Sequence, residues 1–258
     1  MTSEGANPLG DFLRSRRARL QPAQAGLADT GRRRTPGLRR DEVAGLAGIS
    51  VEWYVKIEQG RAPNPSADTL AALAGALRLT RTETRHLLRL GRAASSTAFV
   101  PETVPDALLA LVRSLAQPAW VTGLRWDLLA WNAAAEALLG GMVETTGAPP
   151  NLLRLMMLDP RARALFGEGW PAEARRMLNM FRAVYDDRAG DPAFEVLVAE
   201  MLAGGGEFRA WWRAHDVAAP GSGRKVLHRP GIGATPFRYV TLQSNDNPDL
   251  RLSVLMPG

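Results

Sequence analysis

The sequence predicts two domains of different class: an all-α domain of five helices, followed by an α+β domain with an antiparallel sheet. Capping signals mark five short helical segments within residues 8–91. Residues 92–105 are rich in small side chains and carry two prolines, as linkers do. Near the C-terminus, apolar and polar residues alternate, which is typical of strands. We therefore expect domains at 1–92 and 105–258, joined by a linker at 93–104.

The helices of the first domain are predicted mainly from their ends. The first three are expected at 9–19, 38–48 and 50–60. Ser66 supplies the N-cap hydroxyl of a fourth helix, whose leucines recur at helical spacing. Thr80 and Glu83 form a capping box for a fifth helix, which ends at Gly91.

The second domain is expected to mix helices and strands. Helices are predicted at 106–116 and 133–139, and through most of 151–216. Two strands are predicted around a glycine turn in 118–132, and three more in 224–258. Helices packed on one antiparallel sheet form an α+β domain.

Positive charge is concentrated in the first domain. Residues 1–92 contain 16 Lys and Arg against 9 Asp and Glu, whereas residues 93–258 contain 16 against 17. This asymmetry indicates that the first domain meets a polyanion. The chain has no cysteine, and its three histidines are scattered, so we expect neither a metal site nor a cofactor. No apolar stretch is long enough to span a bilayer. We therefore expect a cytoplasmic protein without membrane contact.

One segment, LRRDEVAGLAGISVEWYVKIEQGR at 38–61, has the pattern of two helices joined by a tight turn. Ala44 is small where the helices would approach closely, and Gly48 permits the turn. Tyr54 and Ile57 are expected in the core. The N-terminal half of the second helix is then left facing outward, where a recognition helix enters the major groove of DNA.

The same segment resembles the Cro/repressor-like (XRE) helix-turn-helix domains, and more closely the MmyB-like group of bacterial regulators. In that group an RRTPGLRR-EVA segment precedes an S-V-x-W-Y helix and an LEQGR-type ending, where this chain has KIEQGR. The later segments NLLRLMMLDPRAR and EFRAWWRAHDV resemble the ligand-binding domain of the group. The resemblance implies a DNA-binding transcriptional regulator with a PAS-like second domain. It also implies a homodimer on a palindromic operator and, since group members are associated with fatty acids, an apolar ligand of that kind.

The residues expected at DNA are Arg32, Arg33, Arg34, Arg39, Arg40, Ser50, Val51, Glu52, Trp53, Lys56 and Arg61. Lys56 is expected to donate to guanine or phosphate, and Glu52 to accept from cytosine. The arginine run at 32–34 is expected to contact phosphates or the minor groove. A solvated charge run is the alternative for these arginines, and a packing role is the alternative for Trp53.

The second domain contains six of the seven tryptophans and most of the methionines. Such side chains line adaptable apolar pockets, although an ordinary core is the alternative for each of them. The candidates to bind a ligand carboxylate are Asn132, Arg182, Tyr185 and His215. Arg182 is among them because a guanidinium matches the geometry of a carboxylate. The expected ligand-binding residues are Trp131, Asn132, Met156, Met177, Phe181, Arg182, Tyr185, Trp211 and His215.

Two other function classes are weighed against this reading. An enzyme is disfavoured because no nucleophile elbow, P-loop or HExxH motif is present. The closer rival is a DNA-binding protein whose second domain serves only for dimerisation or protein interaction. Exposed side chains at Trp211 and Trp212 would favour that rival.

Overall fold

The computed structural model describes residues 7–28, 37–62, 65–91, 98–143, 149–229 and 231–258. Its first domain is helical, as predicted. The helices are α1 Pro8–Arg19, α2 Arg40–Ala47, α3 Val51–Glu58, α4 Ala67–Ala76 and α5 Arg81–Leu90. They enclose a core that includes Phe12, Leu13, Val43, Tyr54 and Leu73.

The helix ends in this domain follow the predicted caps. The Ser66 hydroxyl accepts from the Thr69 amide, and Thr80 and Glu83 form the capping box of α5. The second helix begins two residues later than predicted. Leu38 stays outside it because its side chain is buried and its amide donates to the Arg17 carbonyl at 3.0 Å.

The second domain has the predicted α+β class. Its helices are α6 Asp106–Ser114, α7 Ala133–Leu139, α8 Leu152–Leu158, α9 Pro160–Phe166, α10 Trp170–Asp187, α11 Pro192–Gly204 and α12 Gly206–Trp212. Its strands are β1 Ala119–Thr122, β2 Leu128–Trp131, β3 Gly223–Arg229, β4 Gly233–Gln243 and β5 Arg251–Pro257.

The strands form one antiparallel sheet in the order β2-β1-β5-β4-β3. The C-terminal strand β5 is therefore central: Ser253 lies opposite Trp120 on β1 and opposite Thr241 on β4. Successive side chains point to opposite faces of a sheet. The face that carries Trp120, Ser253 and Leu255 packs against helices α7–α12, and the other face meets α6.

The sheet thus separates two apolar clusters, and the larger one lies on its helical side. Among the described helices, none is both long and apolar enough to cross a membrane.

Candidate DNA interface and ligand cavity

Helices α2 and α3 form a helix-turn-helix unit around Gly48. This glycine has φ of +65°, and its amide donates to the carbonyls of Ala44 and Gly45. Ser50 then caps α3 by accepting from the Trp53 amide at 3.2 Å. The left-handed backbone at Gly48 favours glycine, because it strains residues that carry a Cβ atom. The turn therefore fixes the direction of α3 relative to α2.

The two sides of α3 differ in exposure as the sequence predicts. Tyr54 and Ile57 are buried in the core. Glu52 and Lys56 are exposed, and Val51 has a relative exposure of 45%. Trp53 is half-buried and packs against the domain core, so both of its weighed roles remain compatible with its position.

The inner end of α3 carries a carboxylate that the sequence analysis did not single out. Glu58 is fully buried, and its two oxygens accept from Arg17 Nε and Nη2 at 3.0 and 3.1 Å. Arg40 also donates to Glu58, through Nε at 3.0 Å and Nη2 at 2.8 Å. Burial raises the pKa of Glu58, but the hydrogen bonds from both arginines outweigh it and the net pKa is lowered. Helical spacing gives a signal for this residue, because Glu58 lies one turn beyond Tyr54 on the buried face.

The arginines predicted at DNA differ from one another in exposure and in pairing. The side chain of Arg40 is 44% exposed although it is paired with Glu58. Arg39 and Arg61 are exposed, beside α2 and just after α3. The run Arg32–Arg34 lies outside the described residues.

A cavity of about 140 Å³ lies between the sheet and helices α7–α10 in the second domain. Most of its lining is apolar, including Trp126, Leu155, Leu165 and Met180. An engineered apolar cavity of about 150 Å³ in another protein admits benzene. The space therefore suits a small apolar group, and methionine in the lining lets it adapt to a larger one.

One side of this cavity holds a charged cluster that is internally paired. Glu173 accepts from Arg176 at 2.7 and 2.8 Å and from Lys225 at 2.9 Å. Burial raises the pKa of Glu173, but these bonds and the nearby positive charges outweigh it and lower the pKa to about 2. The Lys225 ammonium also lies 4.3 Å from the centre of the Tyr239 ring. Each group in this cluster has a partner, but two cations share one carboxylate, so the cluster keeps a net positive charge beside the cavity.

Arg251 lines the same cavity without such a partner. It begins β5 opposite Thr122 and Gln243, on the sheet face that also carries Ser253 and Leu255. Within the described part of the chain, its guanidinium has neither a hydrogen-bond acceptor nor an ion pair. Burial lowers its pKa, and the more distant Asp249 opposes that shift. Among the described residues, Arg251 is therefore a cation without an ion pair at the edge of an apolar space.

The comparisons with known proteins divide the chain in the same way. A helix-turn-helix domain model matches residues 8–87. The model of the MmyB-like transcription regulator ligand binding domain matches residues 104–258, more than half of the chain. The chain belongs to the MmyB-like transcription regulators. No curated protein matches it.

As an MmyB-like regulator, the chain is a DNA-binding transcriptional regulator with a ligand-binding domain. Two of the nine residues predicted for the ligand, Met156 and Met177, line its cavity. The other seven are placed elsewhere, for reasons that the fold makes clear.

Four of these seven support the MmyB-like domain structurally. Asn132 caps α7 and also accepts from the Ala119 amide at 3.1 Å. Phe181 is fully buried against the Trp126 and Phe194 rings. Trp211 packs on Trp170. Trp131 lies opposite Trp120 on the neighbouring strand, packs against the same apolar cluster and borders a groove beside α6.

The three remaining polar candidates are paired outside the cavity. Tyr185 donates to Glu195 at 2.9 Å. Arg182 follows Phe181 on α10 and therefore points away from the domain core, where it meets His215 and Asp186 at the boundary with the first domain. Arg251, which the sequence analysis did not single out, lines the cavity, whereas Arg182 does not.

Proposed function

We propose that this regulator binds a palindromic operator as a homodimer and that an aliphatic carboxylate in the cavity controls its affinity for DNA. The observation that carries the proposal is the coexistence of an outward-facing recognition helix and an apolar cavity lined by Arg251, which has no ion pair among the described residues. The five-stranded antiparallel sheet, covered by α7–α12 on one face and by α6 on the other, supports a PAS-like fold, which remains a proposal. In this chain the proposed ligand contacts the sheet face that carries Arg251.

The proposed DNA contacts begin with the exposed side of α3. Lys56 donates to guanine or phosphate, and Glu52 accepts from cytosine N4. Ser50, at the N-terminus of α3, is near enough to the helix start to bind phosphate there. Arg39, Arg61 and the run at 32–34 supply further phosphate contacts, which position the protein without reading sequence. Arg40 joins them with the exposed part of its guanidinium, while Glu58 holds its other side.

A single helix-turn-helix unit buries a modest area on DNA. Two-fold dimers that place two recognition helices one helical turn apart double this area, and they select palindromic sites. This is the support for a homodimer.

The ligand is proposed to be a fatty acid whose carboxylate pairs with Arg251. A guanidinium matches carboxylate geometry and forms two parallel hydrogen bonds. An ion pair with a ligand carboxylate would compensate the positive charge of the half-buried Arg251 guanidinium. Chains longer than the present cavity require the side chains of Met177 and Met180 to change rotamer.

Operator selection from a random duplex pool tests the DNA part. The Lys56→Gln variant should lose sequence preference, with a cost of about 1–3 kcal/mol at the affected base pair. Neutralising Arg32–Arg34 together should weaken binding to all duplexes and flatten the slope of log affinity against log salt. An unchanged salt slope would remove these three arginines from the interface.

Titration with saturated fatty acids from hexanoate to hexadecanoate tests the ligand part. We expect binding to the parent chain and at least tenfold weaker binding to Arg251→Met, because the loss of a charged hydrogen-bond partner is worth about 1.5–3 kcal/mol. Arg238→Met is the matched control, since Arg238 is exposed on β4 and does not line the cavity. Equal binding of the fatty acids by Arg251→Met and Arg238→Met would show that the carboxylate does not pair with Arg251.

The rival reading, a second domain for dimerisation or protein interaction alone, is tested by the same titration. The structure weakens one argument for it, since Trp211 and Trp212 are both half-buried among Trp170, Phe208 and Arg182. Native mass spectrometry of purified protein distinguishes the two readings. A co-purifying aliphatic acid supports the sensor, whereas a ligand-free chain that binds none of the acids supports the rival.

A further inference from the structure

The two domains meet through a buried network of charged side chains. His86 on α5 lies 3.1 Å from Asp186 on α10, and both side chains are almost fully buried. Asp186 also accepts a hydrogen bond of 3.2 Å from Arg182, which lies one helical turn earlier. Arg182 in turn donates to the Trp212 carbonyl at 3.1 Å, stacks on the Trp212 ring and contacts His215. Each of these groups thus has a partner across or beside the domain boundary.

Helix α1 completes this boundary. Arg16 donates to the His215 carbonyl at 2.6 Å, and Ser15 donates to the Ala214 carbonyl at 3.0 Å. Arg19 pairs with Asp216 in the same segment. His215 has φ of +51°, so its carbonyl is presented by a left-handed backbone in the turn that follows α12. The second domain therefore holds α1 by the main chain of this turn.

The boundary is polar, with few apolar contacts across it. In the described part of the second domain, Val217 is the residue that packs against the apolar core of the first. Relative domain motion is expected unless a boundary is both large and apolar, and this one is not apolar. The relative position of the two domains is therefore open to adjustment by whatever shifts either side of the network.

Helix α10 joins this boundary to the ligand cavity. Met177 and Met180 line the cavity from the middle of the helix, and Arg182 and Asp186 lie at the boundary further along it. Six to nine residues of α-helix span only about 9–14 Å. A helix is stiff over this length, so a displacement of its cavity side moves the boundary residues as well.

Helix α1 likewise joins the boundary to the recognition helix. Arg16 and Arg17 are consecutive, yet they serve different elements. Arg16 meets the His215 carbonyl, while Arg17 forms its paired hydrogen bonds with Glu58 on α3. A change in the position of Arg16 is thereby transmitted to the residue that fixes α3.

We infer that ligand occupancy is communicated to the recognition helix along α10, the Arg182–His215 contact and the Arg16–Arg17 pair of α1. This deepens the proposed function and rests on it for the identity of the output, DNA binding. Arg16 is a positioning residue in this scheme. It touches neither ligand nor DNA, and it acts through Arg17 and Glu58.

The test uses a substitution that fills the cavity without any ligand. Met180→Phe enlarges a side chain that lines the cavity on α10, and hydrogen exchange of the full chain is followed at the amides of α1, α3 and α5. We expect exchange in α1 and α3 to change by about threefold or more, as coupling energies along such networks allow. In an Arg16→Met background the same substitution should change the exchange rates of these amides by less than about 1.5-fold. The reason is that residues in contact are energetically coupled, and the coupling is lost when the contact is removed.

Two matched controls accompany this cycle. Met157→Phe makes the same change on α8 at a methionine that does not line the cavity, and it should leave α1 and α3 unaffected. Arg81→Met removes an exposed arginine at the start of α5, and it should preserve the full response to Met180→Phe. If Met180→Phe does not fold, Met177→Phe on the same helix replaces it.

Exchange changes confined to the cavity helices, or an equal response in the Arg16→Met background, would overturn the inference. Affinity for a duplex selected by the parent chain is measured on the same variants, and it should change in parallel with exchange in α3. Failure of the parent chain to bind any duplex at low salt would sink the proposed function instead, and the exchange cycle would still decide the inference.

Discussion

Glu58 should be the most consequential single charge in the first domain, and Glu58→Gln measures its contribution. The substitution keeps the shape of the side chain but removes the negative charge that Arg17 and Arg40 share. Breaking a buried ion pair from one side costs about 3–5 kcal/mol, because the remaining charge is left uncompensated.

The structure sets the expected value at the low end of that range. The side chain of Arg40 is 44% exposed, so its pairing contributes little, as is usual for solvent-screened ion pairs. The side chain of Arg17 is only 12% exposed and depends on Glu58. Because the glutamine oxygen still accepts one hydrogen bond, we expect a loss of about 3 kcal/mol.

Hydrogen exchange of the full chain is the assay, since it reports opening of the first domain separately from the second. A loss of about 3 kcal/mol should accelerate exchange of the most protected amides in α1 and α3 by about 100-fold. Glu52→Gln on the exposed side of the same helix is the control, and it should change exchange by less than about threefold. An acceleration below about fivefold for Glu58→Gln would refute the view that this carboxylate fixes α3.

Three further outcomes follow from the described contacts. Ser50→Ala should destabilise the first domain by about 1 kcal/mol in exchange of α3, because it removes the N-cap acceptor; no change would mean that the cap is redundant. Asn132→Ala should cost about 3 kcal/mol in urea unfolding, since it removes both a helix cap and the partner of a buried amide; a loss below about 1 kcal/mol would contradict that. Burial and the nearby Arg182 lower the pKa of His215 to about 4, so the folded chain binds this proton less readily than the unfolded chain. The contribution of neutral His215 to the free energy of unfolding is therefore complete above about pH 6.5. It is lost as the pH falls toward 4, by about 1.4 kcal/mol per pH unit. His215→Asn, which tolerates the left-handed backbone, should reduce the loss of stability between pH 7 and pH 5 in urea unfolding; an unchanged loss would show that His215 does not titrate this way.

Local signals explain why so much of the fold is readable from the sequence. A cap, a turn glycine or an alternation of apolar residues acts within a few positions, so Ser66, Thr80 and Gly48 mark their elements directly. The two-domain division and the outward side of α3 follow from the same short-range patterns. Seven of the residues predicted for the ligand lie outside the cavity lining, because residue type and helical spacing do not specify which distant segments a side chain meets.

The sequence by itself determined the helix-turn-helix unit, the class of each domain and the excess of positive charge beside the recognition helix. Only the tertiary structure decided which cations meet which partners. Arg251 reaches the cavity because β5 pairs with β1, more than 100 residues earlier in the chain. Arg182 points away from the cavity because consecutive residues on a helix point in different directions. Glu58 pairs with Arg17 because α1 packs on α3. These pairings depend on contacts between distant segments, which no local pattern encodes.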